Sequence, residues 1–355
     1  MTELRTKGFH HITMVAADAR RAARFYYELL GLGLVKKTVN FDDPESYHLY
    51  FGDGAGRPGT LLTIFEWPRA PKGRWGVGGV HHVALGVATE DAQLKWKRRL
   101  TDAGVGVTGP YDRGYFTSIY FADPDGQIVE IATRGPGYLI DESPEELGRE
   151  LRIPPERLLR GHRDEASIAA LTWPEPVPEV TSDMRLEGIH HVSGITDDLD
   201  LALDWYPAVL GLEVIKRTVN RDDGRTHHYF WGARDGDDVA PHSSWTLFGW
   251  PGSTYTARGG VGQTHHVAFR ADDEEEQAAW RDHLLGLGLA VTPVQDRQYF
   301  RSIYFRAPDG LLLEVATDGP GFLVDEPAES LGSGLMLPPW LEPRRSEIEP
   351  ALTAL

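Results

Sequence analysis

Four histidine pairs recur along this chain, and they constrain its fold more than any other feature. GFHHITMV at 8–15, GVHHVALGV at 79–87, GIHHVSGI at 188–195 and QTHHVAFR at 263–270 each set two adjacent imidazoles inside an apolar, strand-like run. Segments downstream of the pairs recur too. KKTVNFDD at 36–43 returns as KRTVNRDD at 216–223, each starting 25 positions after the second histidine of a pair. DRGYFTSIYFADPDGQIVEIAT at 112–133 returns as DRQYFRSIYFRAPDGLLLEVAT at 296–317. A chain with such self-similarity is an array of repeated supersecondary units.

Each repeat divides again. A His-pair strand leads into a helical stretch, at 18–33, 90–105, 198–214 and 273–289, and then into three short strand-like runs. Pro207 is expected to kink or shorten the third helix. DPDG at 123–126 reads as a two-strand turn. The fold class is therefore α+β, built from four βαβββ modules. Residues 1–171 hold modules 8–68 and 79–134 plus an extension. The Pro- and Glu-rich 172–183 reads as a linker, and 184–355 holds modules 188–251 and 264–318 plus a C-terminal tail.

Composition narrows the function. The chain has no cysteine, which excludes disulfides, thiolate metal sites and cysteine nucleophiles. Its net charge of −17 argues against nucleic-acid and anionic-membrane partners. No apolar run reaches membrane-spanning length, and the N-terminus lacks the basic-then-apolar layout of a secretory signal. A soluble cytoplasmic protein is the expectation, with self-association left open.

The chemistry lies in the spacing. Glu130 comes 48 residues after His82, and Glu314 comes after His266 by the same interval. Both carboxylates interrupt apolar strands, IVEIAT and LLLEVAT, where an unpaired charge is costly. A single such pair is most simply a hydrogen-bonded core contact. Two copies, with two further His strands available as third ligands, point to a two-histidine, one-carboxylate metal set.

On these residues the chain resembles the vicinal oxygen chelate superfamily of glyoxalases, bleomycin-resistance proteins and extradiol dioxygenases, whose paired modules form half-barrels. The first-module run from FHHITMV to YHLYFGD, GTLLTIFEWP and the tail LPPWLEPRRSEIEPAL resemble the ring-cleaving (chloro)hydroquinone dioxygenases. That resemblance implies module one paired with four and two with three. It implies a metal held by His11, His266 and Glu314, with His10, Thr13, His265, Arg297 and Tyr304 around the reaction. Fe(II) is the implied ion, and Mn(II), Zn(II) or Ni(II) would also suit the donors. An aromatic diol and O2 are the implied substrates. One hydroxyl would meet the metal, and Arg297 or a pocket histidine would meet the other.

The chain also carries a second complete set, His82, His191 and Glu130, with Arg113 and Tyr120 at the offsets of Arg297 and Tyr304. The first set is favoured as the working one. Glu66 is a candidate fourth ligand of glyoxalase type, although Gly249 stands at its counterpart. His48 and His228, each 37 past a ligand histidine, read as core histidines. A glyoxalase-like isomerase or lyase, and a non-enzymatic aromatic-binding protein, are the alternatives.

Overall fold

Residues 4–355 are described by a computed structural model; residues 1–3, the start of the expected 1–171 half, lie outside the described residues. The four modules are present, and Cα packing divides them into two compact units. One comprises Phe9–Trp75, Asp123–Gln127 and Ala257–Leu355, and is called the 1–4 unit after its modules. The other comprises Gly76–Ala122 and Ile128–Thr256 with the N-terminal segment through Gly8, and is called the 2–3 unit. The units thus draw on both halves of the sequence.

Each unit is built on one mixed sheet. In the 1–4 unit the order runs Gln295–Asp296, Phe300–Arg306, Leu312–Pro320, Gln263–Ala271, Phe9–Ala16, Leu61–Glu66, Asp43–Gly52 and Gly33–Asn40. The two His-pair strands lie side by side and antiparallel at its centre. The 2–3 unit repeats this order with Thr108–Asp112, Thr117–Ala122, Ile128–Thr133, Gly79–Val87, Ile189–Thr196, Ser244–Gly249, His227–Gly232 and Glu213–Val219, and adds Leu151–Arg152 at the edge. Asp123–Gln127 closes the expected turn, with the Gly126 amide donating to the Asp123 carbonyl.

The helices start where the sequence offers a cap. Asp18, Thr89, Asp198 and Asp273 each accept a hydrogen bond from the amide three residues on. The helix at Glu90–Asp102 buries Trp96 and Gln93, and Glu274–Gly286 buries Trp280 and Gln277. Gln93 donates to the carbonyls of Thr117 and Ile131, and Gln277 to those of Arg301 and Val315. Each amide so clamps the strand that carries a site glutamate.

Two helices differ from expectation. The first is α-helical only over Ala19–Ala23 and widens into a π turn over Arg24–Leu29. The wider turn buries the neighbouring rings of Phe25 and Tyr26 together. The third spans Leu199–Leu210 with Pro207 inside, and ends at Gly211, whose φ of 64° is left-handed. A Cβ there would lie 2.6 Å from the Leu4 carbonyl oxygen.

Candidate metal centres

Strand register gathers the candidate ligands. In the 1–4 unit His11 pairs with Ala268, and Ala268 pairs with Glu314 on its other side. Directly opposed residues share a sheet face, so His11 and Glu314 flank one position. His266 lies two residues before Ala268 and projects to the same face. The 2–3 unit repeats the register: His191 opposes Ala84, Ala84 opposes Glu130, and His82 lies two residues before Ala84.

The histidine pairs are explained by bulges. The ladder slips between Phe9 and His11 and between Ile189 and His191, so His10 and His190 are extra residues in their strands. On the partner strands, His265 and His81 are skipped in the same way. A regular strand would send adjacent side chains to opposite faces; a bulge lets both turn toward one. In every pair the two Nδ1 atoms then lie 2.7–2.8 Å apart. Burial, then the neighbouring imidazole, lowers the pKa of His10, His81, His190 and His265 to about 3. Each is a neutral ring that fixes the tautomer of its neighbour and turns that neighbour's Nε2 inward.

Three donor atoms converge at each centre. His11 Nε2 and His266 Nε2 are 3.2 Å apart, and Glu314 Oε2 lies 3.5 and 2.8 Å from them. The corresponding distances for His82, His191 and Glu130 are 3.2, 3.0 and 3.4 Å. Burial alone would raise the two carboxyls, but the imidazoles hold both well below the usual carboxylate range. Ser118 and Ser302 each donate to Oε1 of their glutamate at 2.5 Å. Oε2 of both glutamates is buried without a hydrogen-bond partner. An orphaned carboxylate oxygen facing two imidazole nitrogens suits a divalent cation.

The repeats match a known family model over 8–131 and 188–315, described as Glyoxalase/Bleomycin resistance protein/Dioxygenase superfamily. The chain belongs to this superfamily. It is 35% identical over 98% of its length to MhqO of Bacillus subtilis (strain 168), named as a ring-cleaving dioxygenase, and covers 96% of that protein. It is 28% identical over 97% of its length to the chlorohydroquinone/hydroquinone 1,2-dioxygenase of Sphingobium indicum, covering 95% of it. A Bacillus subtilis crystal structure described as a dioxygenase superposes with a TM-score of 0.78 at 32% identity, over 99% of this chain and 98% of that one. Glyoxalase I of Zea mays shares the fold, with a TM-score of 0.59 at 16% identity over 88% of this chain and 92% of that one.

Within this superfamily chain the two centres have very different surroundings. The His82/His191/Glu130 set borders a cavity of about 830 Å³. The space at His11 and His266 is about 20 Å³. Phe41 borders the small space and packs on Trp340 of the C-terminal tail, beside Leu337, Leu341 and Ile348. Its counterpart in the 2–3 unit is Arg221, and there the segment through Arg160 and Arg163 edges an open chamber.

Of the expected site residues, Arg297 and Tyr304 border the small space, whereas His10, Thr13 and His265 do not. Arg297 is paired with Asp42 at 3.0 Å and lies over the Tyr304 ring. Thr13 bonds Thr63, which also meets His48 Nε2; Tyr50 meets His48 Nδ1. His48 is thus the hydrogen-bonded core histidine expected. His228 departs from that reading: its Nε2 meets Thr246, Phe230 replaces the tyrosine, and its ring lines the large cavity. Burial, then the nearby ligand histidines, keeps it well below the usual imidazole pKa and neutral. Glu66 accepts from the Ala19 amide and so serves the first helix. Ser118 and Ser302 were not singled out in the sequence; their shared place two residues before Tyr120 and Tyr304 was the available signal.

Proposed function

We propose that this protein is an Fe(II)-dependent ring-cleaving dioxygenase acting on a hydroquinone-type diol, with turnover in the 2–3 unit. One observation carries the reading: a buried two-histidine, one-glutamate set opens onto a chamber within the usual size of small-molecule pockets, about 300–1,000 Å³. The names of the relatives support ring cleavage. His82, His191 and Glu130 would hold the ion, and His11, His266 and Glu314 a second one. The family resemblance favours His11, His266 and Glu314 for turnover, but at about 20 Å³ the space beside them has no room for an aromatic ring. Bound Fe(II) would supply the one-electron reducing power that O2 needs and acidify a diol hydroxyl.

The protein's own groups do the rest. Phe116, Phe230, Phe248 and Trp250 give the chamber apolar walls that receive the ring. His228, neutral and tied at Nε2, offers Nδ1 as a hydrogen-bond acceptor for a diol hydroxyl. Arg113 donates to Tyr120 at 3.0 Å and is steadied by Asp222, leaving the Tyr120 hydroxyl proton free to donate to oxygen. Burial raises the Tyr120 pKa, so the phenol keeps that proton. Both atoms of O2 enter the product. The bond beside the hydroxyl-bearing carbon breaks, leaving a carboxyl on that carbon and an aldehyde on its neighbour.

Oxygen uptake by anaerobically Fe(II)-reconstituted protein tests this, with hydroquinone, methylhydroquinone and catechol as substrates. We expect one O2 consumed per para-diol, abolished by His82→Ala and retained by His266→Ala. Loss in His266→Ala alone returns the working centre to the 1–4 unit. No uptake with any diol by the iron-loaded protein ends the dioxygenase reading.

A further inference from the structure

We propose that the diol carries an anionic ring substituent, a carboxylate or sulfonate, received by the arginine wall of the 2–3 chamber around Arg221. The proposal rests on the chamber being the diol site and deepens that reading. Four arginines line the cavity, Arg113, Arg160, Arg163 and Arg221, against Asp222 and Glu165. The wall is therefore cationic inside a chain of net charge −17.

The acids are already shared out. Asp222 takes Arg113 and Arg163, and Glu165 takes Arg163 as well. Arg221 is 6% exposed, and among the described residues it has no carboxylate within ion-pair distance. Its guanidinium donates to neutral oxygens, Thr218 Oγ1 and the carbonyls of Val219 and Arg113, at 2.7–2.8 Å and lies 5.1 Å from the Tyr115 ring centroid, and its Nε has no hydrogen-bond partner. A buried charge without a counter-charge is unfavourable unless an anion joins it. Arg160 adds a second guanidinium to this wall: its amide donates to the Arg221 carbonyl, and its exposed side chain has no acid partner among the described residues.

The repeat shows that the fold does not require this charge. Phe41 occupies the matching place in VNFDD, yet that loop turns as VNRDD does. Asn40 Oδ1 accepts from the Asp42 amide at 3.0 Å, and Asn220 Oδ1 from the Asp222 amide at 2.9 Å. The same turn carries a phenyl ring in the closed unit and a guanidinium in the open one. The difference belongs to the contents of the chamber.

The test compares hydroquinone, 2,5-dihydroxybenzoate and 2,5-dihydroxybenzenesulfonate as substrates of the Fe(II)-loaded full chain, and as ligands of the Zn(II)-loaded chain by anaerobic calorimetry. The anionic diols are expected to lead in kcat/KM by about 10- to 100-fold, the range of a charge-assisted contact, with the lead shrinking as salt rises. Arg221→Phe, which installs the residue of the other unit, is expected to lower that ratio about tenfold; Arg160→Gln, at an exposed position, lowers it less. Equal kcat/KM for neutral and anionic diols overturns the inference and leaves the proposed function standing. So does a parallel fall for all three substrates in both variants, since an arginine that only laces the loop would leave the ratio unchanged. Should no diol be oxidised, the proposed function fails and the binding arm decides. Tighter binding of dihydroxybenzoate than hydroquinone, lost in Arg221→Phe, upholds the anion site; equal binding removes it.

Discussion

His81 and His82 are one position apart and have different tasks. His82 presents Nε2 to Glu130, while His81 turns its Nδ1 to the Nδ1 of His82 and sets which nitrogen of that ring is free. Ser118 does the same for the glutamate by holding Oε1. Ser118→Ala should therefore weaken metal binding at the 2–3 centre by about 10- to 100-fold, read by competition with a chelator, with Ser302→Ala the matching change in the other unit. The four neutral imidazoles, His10 buried and His81, His190 and His265 partly so, also set an acid response. Their folded pKa of about 3 lies below the unfolded value of 6.5, so the unfolded chain binds more protons between those limits. Stability is full above pH 6.5 and falls as pH drops toward 3, by up to about 1.4 kcal/mol per pH unit for each imidazole. Urea midpoints of the metal-free protein at pH 7.5 and 5.5 check the sign. At this scale the sequence was informative for the ligands, because 48-residue spacings repeat; it was silent on Ser118, since a strand serine looks like any other.

At the scale of elements, the bulge is what turns a strand into a site, and bulges leave little trace in composition. The doubled histidine was visible; that one of each pair is an extra residue in the ladder emerged only from register. The modules and their caps were readable because apolar spacing and Asp or Thr start signals agree. The π turn at Arg24–Leu29 was not, since it depends on where Phe25 and Tyr26 pack. Lys216, on a strand of module three, reaches the segment after module two: buried, it meets Asp141 at 2.5 Å and also pairs with Glu142. Lys216→Met should lower stability by about 3 kcal/mol, because buried Glu142 is left with only the longer Arg152 contact at 3.8 Å and the Gly148 amide. The double change with Glu142→Gln should recover part of that loss in urea titrations.

At the scale of the whole chain, duplication has left two similar ligand sets in unequal surroundings. Metal analysis of the reconstituted protein should find two divalent ions per chain, one after His82→Ala or His266→Ala, and none after both. The pairing of modules was suggested by resemblance to a family. The unequal volumes had no sequence signal that could be read in advance, because they depend on how the tail residues Leu337, Trp340 and Leu341 pack around Phe41.

The interleaving of the modules has a consequence for synthesis. His82 and His191 are 109 residues apart, while His11 and His266 are 255 apart. As the chain leaves the ribosome, the 2–3 ligands are all present once His191 has emerged, with Glu130 already behind it. The strand of His11 must wait, its edge unpaired by its final neighbour, until Gln263–Ala271 and then Glu314 are made. The first module to be synthesised is thus among the last to be completed, and the candidate ligand set beside the open chamber is the first to have all its members made.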